Sequence, residues 1–232
     1  MSQAVIILQA RMGSARLPGK SLAQIGARHL LGHCLARLIV GSAAPVMLAT
    51  TTNREDDALV EAAGAHCVSV FRGPADDVLQ RYVQAARAVG ARYVVRATGD
   101  NPLTDVDGPE RVLRALRESG ADHVIEDGLP YGAAVEAVTV DALNRAAIQA
   151  TDPADREHVT TLIRRDRGRF APLVIEAPAT LRRPDIRVTV DTPEELQFAR
   201  SLAARMNNWT AVPELAKAIH VIDASRAESR VA

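Results

Sequence analysis

Arg11, Gly13, Ser14, Arg16 and Lys20 fall within ten residues, directly after an apolar run at 5–8. Residues of these types in one loop suit phosphate. Arg grips phosphate oxygens two at a time, and Lys brings a compact point charge. Gly13 and Ser14 are expected to turn backbone N–H groups toward an anion as a nest. The bland alternative is a solvated basic loop, but three cations, two glycines and a proline after one strand are more than it requires. The stretch also holds Gly19-Lys20-Ser21, which looks like the end of a P-loop. The P-loop pattern G-x-x-x-x-G-K-[ST] spaces its glycines more closely than the five residues between Gly13 and Gly19. It also opens a helix at its Lys-Ser. Here helical periodicity begins only near His29. A P-loop kinase or ATPase is therefore disfavoured.

Such a loop needs a rigid support. Apolar runs at 5–8, 46–49, 66–71 and 93–95 read as strands, and amphipathic stretches at 29–40, 55–63 and 75–89 read as helices. The alternation gives an α/β fold: a mainly parallel sheet with helices on both faces. Ligands on such sheets sit beyond the carboxyl ends of the strands. The loops after 5–8, 46–49 and 93–95 are therefore the places for binding residues, the last being Thr98-Gly99-Asp100-Asn101-Pro102. The second half is less regular. It offers a strand at 122–126, a turn-rich stretch at 128–132, an N-cap at Asp152 before Pro153, a strand at 188–190, and the capping sequence Thr192-Pro193-Glu194-Glu195. No linker, repeat or low-complexity segment divides the chain. Residues 1–222 are expected to form a single domain and residues 223–232 a flexible tail.

Composition narrows the function. Lys plus Arg and Asp plus Glu both number 28, so the chain is not a general nucleic-acid binder, and any anion site is a local concentration of cations. Aromatics at 3% argue against stacking platforms for single strands. No run approaches the roughly 18 apolar residues of a membrane span, and no signal peptide is evident. Cys34 and Cys67 have no metal or redox spacing and are expected to be reduced and buried. A cytoplasmic protein is expected.

The motif Gln9-Ala10-Arg11-x-Gly-Ser-x-Arg16-Leu-Pro-Gly-Lys20 resembles the first motif of the cytidylyltransferase superfamily, which includes 3-deoxy-manno-octulosonate and acylneuraminate cytidylyltransferases. Within it, the chain resembles the spore coat polysaccharide biosynthesis protein F group. Val70-Phe71-Arg72-Gly73, Asp77-Val78-Leu79-x-Arg81-Tyr82, Thr98-Gly99-Asp100-x-Pro102-Leu103, Arg156-Glu157-His158-Val159-Thr160 and Arg187-x-Thr189-Val190-Asp191-Thr192-Pro193-Glu194 fit that group as well. The resemblance spans roughly residues 4–200. It implies a nucleotide-diphospho-sugar transferase fold, a homodimer, and transfer of CMP from CTP to an acceptor with loss of pyrophosphate. Gln9, Ala10, Gly13, Ser14, Gly99 and the loop near Thr50 and Thr51 would hold the nucleotide. Arg11, Arg16 and Lys20 would take its β- and γ-phosphates. Asp100 and Asp191 would bind Mg2+, which typically takes one or two carboxylates plus phosphate oxygens and water. Tyr131, Glu136, Arg156, His158 and Arg187 are candidates for acceptor contact.

Each assignment has a plainer reading. Asp191 precedes a helix and would favour its dipole. Asp100 before Asn-Pro is good turn chemistry. Arg156-Glu157-His158 suits a surface ion-pair cluster or a dimer contact, and Arg187 could pair with Asp185. His29 and His33 lack the Glu of a zinc-hydrolase pattern and suit a structural role. The chain also departs from the group, which carries Tyr-Pro-Asp-Gly-x-Asp-Val-Glu where this chain has Leu129-Pro130-Tyr131-Gly132-Ala133-Ala134-Val135-Glu136. Losing two carboxylates there either makes the acceptor pocket less repulsive to an anion or removes grips on sugar hydroxyls. Acceptors compatible with these residues include a sugar acid, a polyol or a phosphonate-like compound. Use of another nucleotide, as in a guanylyltransferase, and a non-catalytic nucleotide-binding protein are the competing functions.

Overall fold

A computed structural model describes residues 3–231. In chain order its strands and α-helices are β1 (Ala4–Gln9), β2 (Gln24–Ile25), β3 (Arg28–His29), α1 (Leu30–Gly41), β4 (Val46–Thr51), α2 (Asp57–Gly64), β5 (Ser69–Gly73), α3 (Val78–Ala88), β6 (Tyr93–Thr98), α4 (Gly108–Ser119), β7 (His123–Asp127), β8 (Glu136–Thr139), α5 (Val140–Gln149), α6 (Pro153–Glu157), α7 (Thr161–Arg165), β9 (Pro172–Glu176), α8 (Pro193–Arg205) and α9 (Leu215–Val231). Seven strands form one sheet in the order β5-β4-β1-β6-β8-β7-β9. The β5, β4, β1 and β6 strands are parallel, β8 runs antiparallel to both β6 and β7, and β9 is parallel to β7.

The central strands are apolar on both faces because helices cover both. Along β1, Ala4, Ile6 and Leu8 enter the core beneath α1, α4, α8 and α9, while Val5 and Ile7 enter the core beneath α3 and α5. This alternation is the period of a strand. It leaves the carboxyl ends of β1 and β6 side by side, with Gln9 opposite Thr98. Gly99 is required where they meet. A Cβ there would come within 2.8 Å of the Ala10 Cβ, and the Gly99 N–H donates to the Gln9 carbonyl at 2.8 Å.

The structure corrects several expectations. Residues 188–190 are not a strand. They form an extended strap in which Val188 donates to the Tyr131 carbonyl and Val190 to the Asp100 carbonyl, with one isolated bridge between Tyr131 and Arg187. The third strand starts at Ser69 rather than at residue 66, because the chain turns through Cys67 at φ 55°. Cys67 is exposed, whereas Cys34 is buried as expected. Strand β8 has no counterpart among the expected strands, being four residues long and starting with a charge. Residues 223–231 of the expected tail continue α9; residue 232 lies outside the described residues. That helix is held by buried Leu215, Ala218, Ile219 and Ile222, and by ion pairs from Asp223 to Arg183 and from Glu228 to Arg205. Among the described residues no helix is long and apolar enough to cross a membrane.

Candidate active site

A cleft of about 770 Å³ opens over the carboxyl ends of β1 and β6 and continues over β7 and β8. The loop after β1 forms one wall. Gly19 takes a left-handed conformation at φ 72°, and Lys20–Leu22 makes a single 3-10 turn, so no helix starts at Lys20-Ser21. Ser21 is buried and its hydroxyl donates to the Arg11 carbonyl at 3.2 Å, closing the loop on itself. The next helix, α1, begins at Leu30, capped by His29, whose Nδ1 accepts from the Gly32 N–H. This is not P-loop geometry. The expected N–H nest also fails at Ser14, whose N–H donates to the Met12 carbonyl at 2.9 Å.

Basic side chains converge on two aspartates that are far apart in sequence. The 188–190 strap runs beside the loop after β6, with Val190 N–H on the Asp100 carbonyl at 2.8 Å. This brings Asp191 next to Asp100. The Lys20 ammonium lies between them, donating to Asp191 Oδ1 at 2.8 Å and to the Val190 carbonyl at 3.0 Å, with Asp100 Oδ2 at 3.6 Å. Arg16 and Arg187 each approach Asp191 Oδ2 at 3.2 Å. Burial works to raise the Asp191 pKa, but the Lys20 hydrogen bond and charge, with Arg16 and Arg187, outweigh it and hold the carboxyl below its ordinary value. Thr192 caps α8 in a full capping box with Glu195, so Asp191 is not needed as the cap. Cys34 lies beneath this region, its thiol pushed up to about 12 by burial and by the charge of Asp100.

Two carboxylates on one ammonium fit a hard divalent cation that takes its other ligands from phosphate oxygens and water. No group of three or more His, Cys, Asp or Glu among the described residues could hold a metal by itself.

The remaining assignments divide. Gln9, Ala10, Arg11, Gly13, Ser14, Arg16, Lys20, Gly99, Asp100, Tyr131, Glu136, His158 and Asp191 line the cleft. Thr50 and Thr51 do not; both are fully buried at the end of β4. Thr51 instead supports the loop, because its N–H and hydroxyl bond the buried Asp56 carboxylate, whose other oxygen accepts the Met12 N–H at 2.7 Å. Arg156 is also absent from the lining. It reaches back to Asp77 at 2.5 Å and to the Ala147 and Ala150 carbonyls, tying α6 to the starts and ends of its neighbours. Arg187 pairs with Glu195 and Asp191 rather than Asp185, and stacks over the Tyr131 ring at 4.4 Å. The expected surface cluster at 156–158 is split, with Glu157 pairing Arg11 across the cleft at 3.0 Å.

Sequence reasoning missed three arginines in the lining: Arg81, Arg96 and Arg164. Arg81 is 1% exposed, donates to the Pro74 carbonyl and leaves its Nε unpartnered. Arg96 faces Glu136 across the β6–β8 pair. A basic residue inside an apolar strand was the available signal for Arg96. Charged atoms at such positions persist where they meet a counter-charge or a ligand.

A family model described as Cytidylyltransferase matches residues 5–219. The chain is similar to the spore coat polysaccharide biosynthesis protein SpsF of Bacillus subtilis, with 33% identity over 211 residues covering 87% of each chain. Among solved structures it is similar to a cytidylyltransferase from Leptospira borgpetersenii, with a TM-score of 0.88, 29% identity, and coverage of 98% of this chain and 96% of that one. Its fold is also like that of a CMP:2-keto-3-deoxy-manno-octonic acid synthetase complexed with CTP, with a TM-score of 0.66, 20% identity, and coverage of 88% of this chain and 100% of that one.

Proposed function

The chain belongs to the cytidylyltransferase family, and from that premise we propose that it is a magnesium-dependent enzyme that transfers CMP from CTP to a small acceptor and releases pyrophosphate. The carrying observation is the convergence of Asp100 and Asp191 on Lys20, on the wall that also bears Arg11 and Arg16. Nucleotidyl transfer needs positioning and neutralised phosphate charge more than covalent help from the protein. Asp100 and Asp191 would hold the magnesium ion, which neutralises phosphate charge when bound. Lys20 and Arg16 then exchange a carboxylate partner for a phosphate oxygen. Arg11 does the same by leaving Glu157, an exchange that costs little because exposed ion pairs contribute about 0–1 kcal/mol. An acceptor hydroxyl over β7 and β8 would attack the α-phosphorus. The hydroxyl gives up its proton to solvent, its new O–P bond forms as the α-phosphorus bond to the bridging oxygen breaks, and pyrophosphate carries that electron pair away. Arg11, Arg16 and Lys20 stabilise that leaving group. SpsF suggests an acceptor destined for a polysaccharide, and homodimer assembly belongs to the same reading.

The test is pyrophosphate release with each of four nucleoside triphosphates against a panel of sugar acids, polyols and phosphonates. CTP-dependent release that stops when magnesium is chelated is expected. Turnover of GTP without CTP, or turnover indifferent to chelation, would sink the proposal.

A further inference from the structure

The cleft wall is mostly polar and charged, and among the described residues Tyr131 is the one Phe, Tyr or Trp that lines it. It is also the most exposed of those aromatics, at 62%, ahead of Phe198 at 42%, which lies on α8 outside the lining. An exposed ring on a loop is ordinarily free to swing, but this one is held. Its N–H donates to the Ile186 carbonyl at 2.8 Å, and its carbonyl accepts the Val188 N–H at 2.9 Å. The next residue, Gly132 at φ 95°, packs against the strap and the loop after β6. A Cβ there would come within 2.7 Å of the Thr189 nitrogen and 3.0 Å of Asn101 Oδ1. The ring is also backed. The Arg187 guanidinium lies over it, 4.4 Å from its centroid, and is fixed in turn by Glu195 and by Asp191 Oδ2 at 3.2 Å. One face of the ring is therefore covered, and the residue still opens to the cleft. The ring neighbours both aspartates, Asp191 through Arg187 and Asp100 through Gly132 and Asn101.

A rigid, open aromatic face in a polar cleft suits a ligand that is apolar on one side and polar elsewhere. A pyranose has that shape. Its C–H bonds gather on a ring face while its hydroxyls point outward to polar partners. An open-chain polyol or a small phosphonate presents no such face. We propose that Tyr131 is a stacking platform for one face of a pyranose ring, so that the acceptor is a cyclic sugar. Stacking there holds the sugar beside Asp100 and Asp191, where the hydroxyl must meet the α-phosphorus. Tyr131 stands where the related group carries an aspartate. This chain thus gives up a grip on sugar hydroxyls and gains contact with the C–H face of the ring. The inference rests on the cytidylyltransferase reading of the cleft and narrows its acceptor from sugar acids, polyols and phosphonates to ring-shaped sugars.

The test saturates the protein with α,β-methylene-CTP and magnesium, then titrates glucose, galactose, mannose, their uronates and the N-acetylhexosamines by calorimetry. The hexitols and aldonates of the same configuration are the open-chain controls. At least one ring should bind saturably, and its open-chain counterpart should bind about tenfold more weakly or not at all. Tyr131→Ala should weaken the ring about tenfold, the scale of one aromatic contact. Tyr131→Phe and Tyr131→Trp, which keep a flat ring, should retain it, and all three variants should bind the nucleotide analogue as the parent does. Absence of ring binding with the analogue in place, open-chain controls that bind as well as their rings, or unchanged ring binding in Tyr131→Ala would overturn the platform alone. So would a loss of analogue affinity in Tyr131→Ala, which would show that the ring stacks the nucleotide base. Failure of the analogue to bind the parent would overturn the underlying reading as well.

Discussion

The two halves of the cleft handle charge in opposite ways. Over β1 and β6, the cations Arg11, Arg16 and Lys20 ride on a loop and hold partners they can exchange: Glu157, Asp191 and Asp100. Over β7 and β8, His123 and Glu136 are fixed on strands, Arg96 reaches Glu136 from the neighbouring β6, and Thr160 bonds Glu136 from the start of α7. The first arrangement suits a ligand whose charge changes during reaction, because the exposed Arg11–Glu157 pair opens at little cost and the more buried Lys20–Asp191 pair would be replaced by another charge partner. The second suits rigid recognition, because breaking it strands buried charge. Substitutions in the first half should therefore change turnover or nucleotide affinity with little effect on stability, and substitutions in the second should cost stability while leaving nucleotide affinity near that of the parent.

The largest effect separates the halves on activity. Asp100→Ala should lower turnover by about 100-fold or more, the scale for removing one preorganised electrostatic group. Its circular dichroism and melting should remain those of the parent. Retention of full magnesium-dependent turnover would contradict the metal role.

Next comes stability in the other half. Glu136→Gln leaves Arg96 and Arg164 without a counter-charge and should cost about 3–5 kcal/mol in urea unfolding, while CTP affinity stays near that of the parent. Burial works to raise the Glu136 pKa, but Arg96, His123 and Thr160 outweigh it and hold the carboxyl well below its ordinary value of 4.5. A depressed folded pKa stabilises above the unfolded pKa and is lost as pH falls toward the folded one. The parent should therefore lose stability on acidification below about pH 4.5, and Glu136→Gln should lose less. Parallel pH curves would contradict the assignment.

A smaller effect lies beneath the phosphate loop. Asp56→Asn turns one of the two carboxylate oxygens, which accept from the Met12 N–H and from Thr51 respectively, into an NH2 donor, at a cost of about 1–3 kcal/mol. CTP affinity should fall with it, unlike Glu136→Gln. The smallest is Glu157→Gln, which frees Arg11 from an exposed pair. Pyrophosphate should bind slightly tighter, by up to about fivefold at low salt, and the gain should fade as salt rises. Weaker pyrophosphate binding would show instead that Glu157 orients Arg11.

The same contrast explains what the sequence disclosed. The parallel half was legible because its strands are apolar runs followed by short loops rich in Arg, Gly and Pro, and because Leu30 starts the first long helix well past Lys20. Thr50 and Thr51 misled because a strand end buried on all sides looks, in sequence, like a strand end open to ligand. Arg156 misled for a related reason: a helix places it toward Asp77 or toward the cleft according to packing alone. The half over β7 and β8 was hard to read because β8 is short and antiparallel, and its key pair, Arg96 with Glu136, forms across strands 40 residues apart in sequence. The 188–190 strap looked like a strand because extended backbone and apolar side chains are common to both. Its three buried residues serve to carry Asp191 to Asp100.

The most direct measurement is calorimetric titration of CTP, GTP, ATP and UTP, with magnesium and with chelator, into the parent and Asp191→Asn. The expected result is CTP binding in magnesium that weakens by about tenfold or more with chelator or in the variant, the scale of one charge-assisted interaction. Tight GTP binding without CTP binding, or CTP affinity indifferent to magnesium and to Asp191, would contradict the assignment of the phosphate half.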